Sequence, residues 1–281
     1  MPELPEVEVL ARCLQPLLPG RRIRGVDVRR GKVVLPDSIV DFRRQLLGAT
    51  FTGVSRRGKN FLFELRRPKS RETFILLGHL GMTGRMYLAR KKTPLPKHAA
   101  VVLDLGRANF IYEDTRYFGR LTLDLSAIAK LGPEPLSAAF EPKSFGTALR
   151  RSGQAVKVKL LDQALVAGVG NIYASEALFR ARISPEQPAD TLTPAQIKRL
   201  WHGIRTVLAE AIDCGSTVPL NFGGGAAGGL FYFGLAPGVE DYYEERLRVY
   251  DRAGQPCPKC GRPIRRIVQA ARSTFFCPHC Q

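Results

Sequence analysis

The chain has 281 residues, with 43 Lys and Arg against 25 Asp and Glu, a formal net charge of +18 and a hydrophobic content of 44%. That length and apolar content support two modest folded domains, which sets aside a purely disordered basic tail. No apolar run approaches the roughly 18 residues needed to span a bilayer, and the first twenty residues are acidic where a signal peptide is basic, so no membrane partner and a cytoplasmic location are expected.

The first element is expected to be an amphipathic helix, because Leu4, Val7, Leu10, Ala11, Leu14, Leu17 and Leu18 recur at helical spacing until Pro19 and Gly20 end the run. From Arg21 to about Leu125 the pattern turns to short β-rich runs, "FTGVS", "NFLFEL", "TFILLGHLG", "AAVVLDL", "ANFIYED" and "GRLTLDL". Many short strands at this spacing predict an antiparallel sandwich or barrel. Pro133, Pro135 and Pro142 in "KLGPEPLSAAFEP" mark a boundary. Beyond it, "SFGTALRRSG", "AVKVKLLDQALVAG", "NIYASEALFRARI" and "TPAQIKRLWHGIRTVLAEAIDCG" each carry a helical stripe, and Thr193 before Pro194 reads as an N-cap. The Gly-rich "NFGGGAAGGLFYFGLAPG" with its aromatic anchors suits a mobile lid or a disordered connector.

Positive charge is distributed over "RRIRGVDVRRGK", "SRRGKN", "RRPKSR", "RKK" and "GRPIRR". A surface of this kind attracts phosphates whatever the base sequence, so a nucleic acid is the expected partner, against the plainer reading of a basic solvated surface.

Cys257, Cys260, Cys277 and Cys280 form C-x2-C, sixteen residues, C-x2-C, the spacing at which two knuckles hold one tetrahedral Zn2+. Four thiolates leave no open position for water, so the zinc is expected to be structural. The intervening "GRPIRRIVQAARSTFF" reads as two strands around a basic turn, presenting Arg272 to a phosphate or substrate. Cys13 and Cys214 sit in helical apolar patterns and are expected to be buried free thiols.

"LVAGVGNIYASEAL" places a Gly-x-Gly turn between helices with Asn171 as N-cap, and amides at a helix start can take up a phosphate. Gly58 in "SRRGKNFLFEL" predicts a hairpin whose Lys59 projects as a mobile cation. "GHLGMTGRM" and "EDTRYFGRL" put Met82 and Phe118 with Arg116 in Gly-punctuated loops. Such residues are core packing or wedges that fill the gap left by an extruded base.

Pro2 and Glu3 are the chemically distinctive pair. Removal of Met1 would expose a secondary amine with a pKa well below the roughly 10.4 of lysine, an α-amino group lying near 7.7 to 8.0. Its attack on a sugar C1′ gives an iminium that stays charged without a proton and acidifies the C2′ hydrogen. Glu3, next in the chain, can move protons on sugar or base. The plain alternative is a proline that only starts a helix.

Taken together, "PELPEVE", "RRGKNFLFEL", "HLGMTG", "DTRYFG", "LGPEPL", "LLDQALVAGVGNIYASEALF" and the terminal "CPKC" and "CPHC" resemble the bacterial formamidopyrimidine-DNA glycosylases, in family order across nearly the whole chain. The resemblance implies an α+β multidomain fold: an N-terminal catalytic antiparallel β-sandwich with a flanking helix over 1–132, a linker over 133–143, a helix-two-turn-helix DNA-binding domain with a lid loop over 144–244, and a β-hairpin zinc finger over 245–281. It implies a monomer that acts on double-stranded DNA, excises 8-oxoguanine and formamidopyrimidines, and cleaves the abasic site by β,δ-elimination. By motif, Pro2 matches the Schiff-base nucleophile, Glu3 the acid/base, Lys59 the lysine that contacts the lesion and its phosphate, and Arg272 a DNA contact and the proton donor of the δ step. Met82, Arg116 and Phe118 match the void-filling triad, and His98 and Asn171 match DNA contacts. Thr115 and Tyr117 depart from the Pro and Arg common in the family, Ser152 stands where a lysine is frequent, and the lid sequence is atypical. An endonuclease VIII-like enzyme for oxidised pyrimidines would share this chemistry but usually has Gly where this chain has Leu4. A non-catalytic damage-binding protein is the alternative from another class.

Overall fold

The computed structural model describes residues 2–215 and 247–281, so the lid expected over "NFGGGAAGGLFYFGLAPG" lies outside the described residues. Two compact units emerge: one holds Pro2 and Glu6–Ala129, and the other holds Glu3–Pro5, 130–215 and 247–281. Among the described residues no helix is long and apolar enough to cross a membrane.

The first unit is built on two four-stranded antiparallel sheets. One has the order β1 (Gly25–Val28), β6 (Ala99–Asp104), β7 (Ala108–Asp114), β5 (Gly84–Arg90). The other runs β2 (Thr50–Arg57), β3 (Asn60–Arg66), β4 (Thr73–His79), β8 (Arg120–Thr122). Alternating apolar residues of both sheets meet in one core, where Phe63 lies edge-on to Phe110 at 5.3 Å and tilted Phe51 lies 6.2 Å from the same ring. This is the sandwich the strand pattern predicts, and ring pairs of this geometry add to the stabilisation that burial already gives. Helix α1 (Leu4–Leu14) contributes Val7, Leu10, Ala11 and Leu14 to that core. It ends a turn earlier than the apolar spacing suggests, and the amides of Leu17 and Leu18 close on the Leu14 carbonyl. Arg56, nearly buried, and exposed Arg12 share the Glu8 carboxylate at 2.8 and 2.7 Å. Burial raises the Glu8 pKa, but the two guanidinium partners outweigh it and hold the group below the usual carboxylate value.

Three elements here escape the sequence pattern. Strand β1 is only four residues long, β5 carries Arg85 and Arg90, and helix α2 (Ile39–Leu46) buries only Phe42 and Leu46 and is started by Ser38, whose hydroxyl accepts from Asp41 N at 3.0 Å. Cys13 is exposed and Cys214 only partly covered, so the expectation of two buried thiols fails: at Cys13, α1 turns a polar face outward.

The first unit closes with α3 (Ser126–Ala129), and the second holds α4 (Pro142–Leu149), α5 (Val156–Leu160), α6 (Asn171–Ala181) and α7 (Pro194–Asp213) around a core of Phe140, Tyr173, Leu178, Leu200 and Ile204. α7 has a full capping box: Thr193 Oγ1 accepts from Gln196 N at 3.2 Å, and Gln196 Oε1 accepts from Thr193 N at 2.9 Å. The long helix expected over "AVKVKLLDQALVAG" is a single five-residue turn, because Asp162 and Gln163 turn their side chains to loop amides, Asp162 to Ala164 N and Gln163 to Gly168 N. The linker prolines are pinned down, since Arg205 donates to the carbonyls of Pro135 and Ser137 at 2.8 and 3.0 Å. Buried Glu176 on α6 accepts the amides of Arg248, Val249 and Tyr250 at 2.8 to 2.9 Å and so fastens the segment 248–250 to that helix. Burial of the Glu176 carboxyl outweighs those three amides and raises its pKa. The chain ends in the hairpin β9 (Arg265–Gln269) and β10 (Arg272–Phe276). Its turn is the pair Ala270–Ala271, both at positive φ, not the basic turn that the sequence suggests.

Candidate active site

The second unit positions Glu3. Its side chain is 2% exposed, and its two carboxylate oxygens accept the first amides of α6, Ile172 N at 2.9 Å and Tyr173 N at 3.3 Å. The amides expected to receive a phosphate thus receive a carboxylate from the same chain, at the helix end where the dipole favours negative charge. The glycines of "GVG" serve that contact. A Cβ at Gly170 would lie 2.3 Å from the Glu3 carboxyl carbon, and one at Gly168, whose φ is +84°, would lie 2.6 Å from Leu4.

Asn171 is the first residue of α6, and Gly170 takes the N-cap position assigned to Asn171 from sequence. Its amide is therefore free for tertiary work. Asn171 Oδ1 accepts from Lys157 Nζ, and Nδ2 donates to the Ser273 carbonyl at 2.9 Å, which ties α6 to the β9–β10 hairpin. Lys157 itself is fully buried, and sequence reading passes over it as one cation of a basic helix. Burial and the nearby Arg272 charge push its pKa down to about 8, while Glu3 pulls the other way. Arg272 is exposed at the start of β10, beside the turn.

The four cysteine sulfurs lie within 4.8 Å of one another, with Cys257 to Cys280 at 3.9 Å and Cys260 to Cys277 at 3.5 Å. Sulfurs of a tetrahedral Zn–S4 site are roughly 3.8 Å apart, so this set fits one structural Zn2+ and offers no fifth position. Besides the Asn171 link, the finger is held by Gln281 Nε2 to the Ile183 carbonyl at 3.1 Å and Gln269 Nε2 to the Pro185 carbonyl at 3.2 Å. Chelation of the zinc is expected to release the hairpin, and with it Asn171 and Arg272. Duplex affinity should fall at least about tenfold and return on adding Zn2+, as measured by fluorescence anisotropy; unchanged affinity after verified metal loss would contradict this arrangement.

The first unit carries the other sequence-predicted residues. Pro2 is partly exposed. Lys59 is only 9% exposed, which corrects the picture of a cation projecting from a tip. The β2–β3 turn has only Gly58, at φ +58°, and Lys59, and β3 is an interior strand whose Asn60 pairs with His79 on β4. The ammonium is thereby drawn in beside His79. Burial, then the Lys59 and Arg120 charges, push the His79 pKa down to about 4, so its ring is neutral at pH 7 and Nδ1 accepts from Gly81 N at 3.0 Å.

Met82 and Phe118 stand 47% and 50% exposed, which settles against a core role for either. Arg116 joins them: its guanidinium lies 4.5 Å from the centre of the Phe118 ring and its Nη1 3.2 Å from the Met82 sulfur. Lys32 Nζ stands 5.7 Å over the same ring. Tyr117, one of the departures from the family pattern, has φ +53°, and its hydroxyl meets Arg30 Nε at 3.2 Å and His98 Nδ1 at 3.4 Å. His98 lies just before β6 with its ring half-buried.

Family models define the class of protein to which such a chain is assigned. The formamidopyrimidine-DNA glycosylase N-terminal domain matches residues 1–121, the formamidopyrimidine-DNA glycosylase H2TH domain residues 131–220, and a zinc finger found in FPG and IleRS residues 254–281. The formamidopyrimidine-DNA glycosylase of Symbiobacterium thermophilum is 43% identical over 290 residues, covering 100% of this chain and 89% of that relative. The chain belongs to the formamidopyrimidine-DNA glycosylase family. Among solved structures, the Lactococcus lactis enzyme non-covalently bound to an AP-site-containing DNA is 34% identical with a TM-score of 0.85, covering 99% of each chain. A mutant of that enzyme in complex with Fapy-dG-containing DNA gives 34% identity and a TM-score of 0.86, over 100% of this chain and 99% of the other.

Proposed function

We propose that this chain excises oxidised purines, 8-oxoguanine and formamidopyrimidines, from duplex DNA and then cleaves the strand at the abasic site. The Pro2 nitrogen, once Met1 is removed, attacks C1′ of the damaged nucleotide; the bond from C1′ to the base breaks and the base leaves with a proton. The C1′–O4′ bond then opens as O4′ takes a proton, leaving an iminium that holds the electron pair when the C2′ proton is taken and the 3′ phosphate departs; loss of the C4′ proton then expels the 5′ phosphate, with Arg272 as proton donor. Glu3 moves the protons at sugar and base, and Lys59 contacts the lesion and its phosphate. Met82, Arg116 and Phe118 fill the space vacated by the extruded nucleotide, while His98, Asn171 and Arg272 contact the DNA.

The observation that supports this reading is the fixing of Glu3, the residue after Pro2 in the chain, by two amides of α6. The relatives solved with abasic and Fapy-dG DNA support the same substrate class. An enzyme acting on chromosomal DNA works at the nucleoid, in the cytoplasm. Cleavage of duplexes carrying 8-oxoguanine, Fapy-dG or thymine glycol tests the lesion class: the two purines should be cut faster, and activity on thymine glycol alone would favour the endonuclease VIII-like alternative.

A further inference from the structure

Asp114, at the end of β7, is fully buried and faces Gly84 across the β5–β7 ladder, at the point where both wedge-bearing loops leave the sheet. Its carboxylate reaches into each loop. Oδ1 accepts Thr83 Oγ1 at 2.5 Å and Arg116 N at 3.1 Å; Oδ2 accepts Gly119 N at 2.9 Å and the buried Tyr112 hydroxyl at 3.3 Å. Thr83 follows Met82, and Arg116 and Gly119 bracket Phe118, so one carboxylate holds the hydroxyl next to Met82 and the backbone amides of Arg116 and of the residue after Phe118. Burial raises its pKa, but the Thr83 hydroxyl and the amides of Gly119, Arg116 and Phe118 prevail and hold the carboxyl below its usual value.

The loops interlock around this group. A Cβ at Gly81 would lie 2.6 Å from Gly119 N and 2.8 Å from the Phe118 carbonyl carbon, and one at Gly119 2.2 Å from the Tyr112 hydroxyl. Loops are normally the mobile parts of a sandwich. A wedge that must hold two DNA strands apart gains if its side chains are already in place, because no ordering of loops is then needed on binding. Two exposed apolar side chains held by a buried ionic hub fit that requirement.

We infer that Asp114 is the positioning residue that makes Met82, Arg116 and Phe118 one rigid wedge, so that excision from duplex DNA depends on it while the chemistry at Pro2 does not. This rests on the void-filling role given above to those three residues. Asp114→Asn keeps one acceptor oxygen and turns an NH2 towards the donors on the other side, which breaks one loop's attachment. Thr83→Val cuts the link to the Met82 loop and leaves the carboxylate in place.

Three measurements on the full chain read the consequence. The first is single-turnover excision of 8-oxoguanine from a duplex, the second the fluorescence of 2-aminopurine opposite a tetrahydrofuran abasic analogue, and the third borohydride trapping on a single-stranded abasic oligonucleotide, which has no opposite strand to hold apart. Asp114→Asn is expected to slow duplex excision at least about tenfold and Thr83→Val about threefold or more. Both should shrink the 2-aminopurine response, with single-strand trapping within twofold of the parent. Equal losses on duplex and single strand would overturn the inference in favour of a general fold defect, and should Asp114→Asn fail to fold, Thr83→Val decides. Normal duplex excision and fluorescence in the brace variants, alongside impaired excision by a Met82→Ala/Phe118→Ala variant, would overturn the brace alone. Normal excision by the Met82→Ala/Phe118→Ala variant would overturn the void-filling reading itself, and the brace with it.

Discussion

Gly170→Ala is expected to lower base excision by about 10² to 10⁴, or roughly 3 to 5 kcal/mol of barrier, while the protein still folds. The backbone at Gly170 has φ −130°, which alanine adopts without strain, so the substitution acts only through the space its Cβ occupies. That space is filled by the Glu3 carboxylate, 2.3 to 2.7 Å from the added carbon. The far end of a glutamate side chain moves at low cost, so the expected response is loss of the Ile172 and Tyr173 hydrogen bonds and withdrawal of the carboxylate, not unfolding. Glu3→Gln serves as reference, because it keeps the shape and removes the charge. Excision kinetics and a melting curve check the prediction together. Near-normal excision by Gly170→Ala would show that the fixed position of Glu3 is unimportant, whereas a fall in melting temperature large enough to leave the variant unfolded at assay temperature would show a packing role instead.

How far such a site can be read from sequence depends on what each residue depends on. The zinc set is legible because four cysteines at fixed local spacing carry the whole ligand geometry, and their sulfurs do converge. The sandwich follows from alternation in the strands that carry most of the core. β1 and α2 are too short, at four and eight residues, for a period to stand out, and in β5 the charge of Arg85 is met by Glu113 at 3.3 Å, a partner distant in sequence. Helix starts are half legible. Thr193 and Gln196 announce α7 by a local box, but α6 is capped by Glu3, 169 positions away, and a window of sequence centred on "GVGNIY" shows a vacant phosphate site where the fold supplies a carboxylate. Lys59 and Lys157 fail for a related reason. Nothing local distinguishes a lysine drawn into the interior from one in solvent; the burial comes from strand order in one case and from Asn171 in the other. Asp114 reads as the polar end of a strand, although the structure makes it the junction of two loops.

Retention of any residue ahead of Pro2 is expected to abolish the covalent chemistry, with at least about a 10³-fold loss of strand cleavage at abasic sites. In that form the Pro2 nitrogen is an amide, its lone pair delocalised into the carbonyl, and it has no nucleophilicity to offer. Duplex binding should change little, since the basic surface, the Met82, Arg116 and Phe118 side chains and the zinc finger are untouched. The comparison therefore separates a lyase from a damage-binding protein within a single preparation. A variant with a blocked N-terminus that cleaves abasic DNA at the parent rate would place the nucleophile on another group, and the buried lysines Lys59 and Lys157 would be the first to substitute.

The most direct measurement is borohydride reduction of the protein on abasic-site DNA, followed by digestion and mass mapping of the peptide that carries the deoxyribose remnant. The account predicts a single adduct on the nitrogen of an N-terminal Pro2 from which Met1 is absent. An adduct on any lysine-containing peptide, or no adduct under conditions where the DNA is bound, would contradict it.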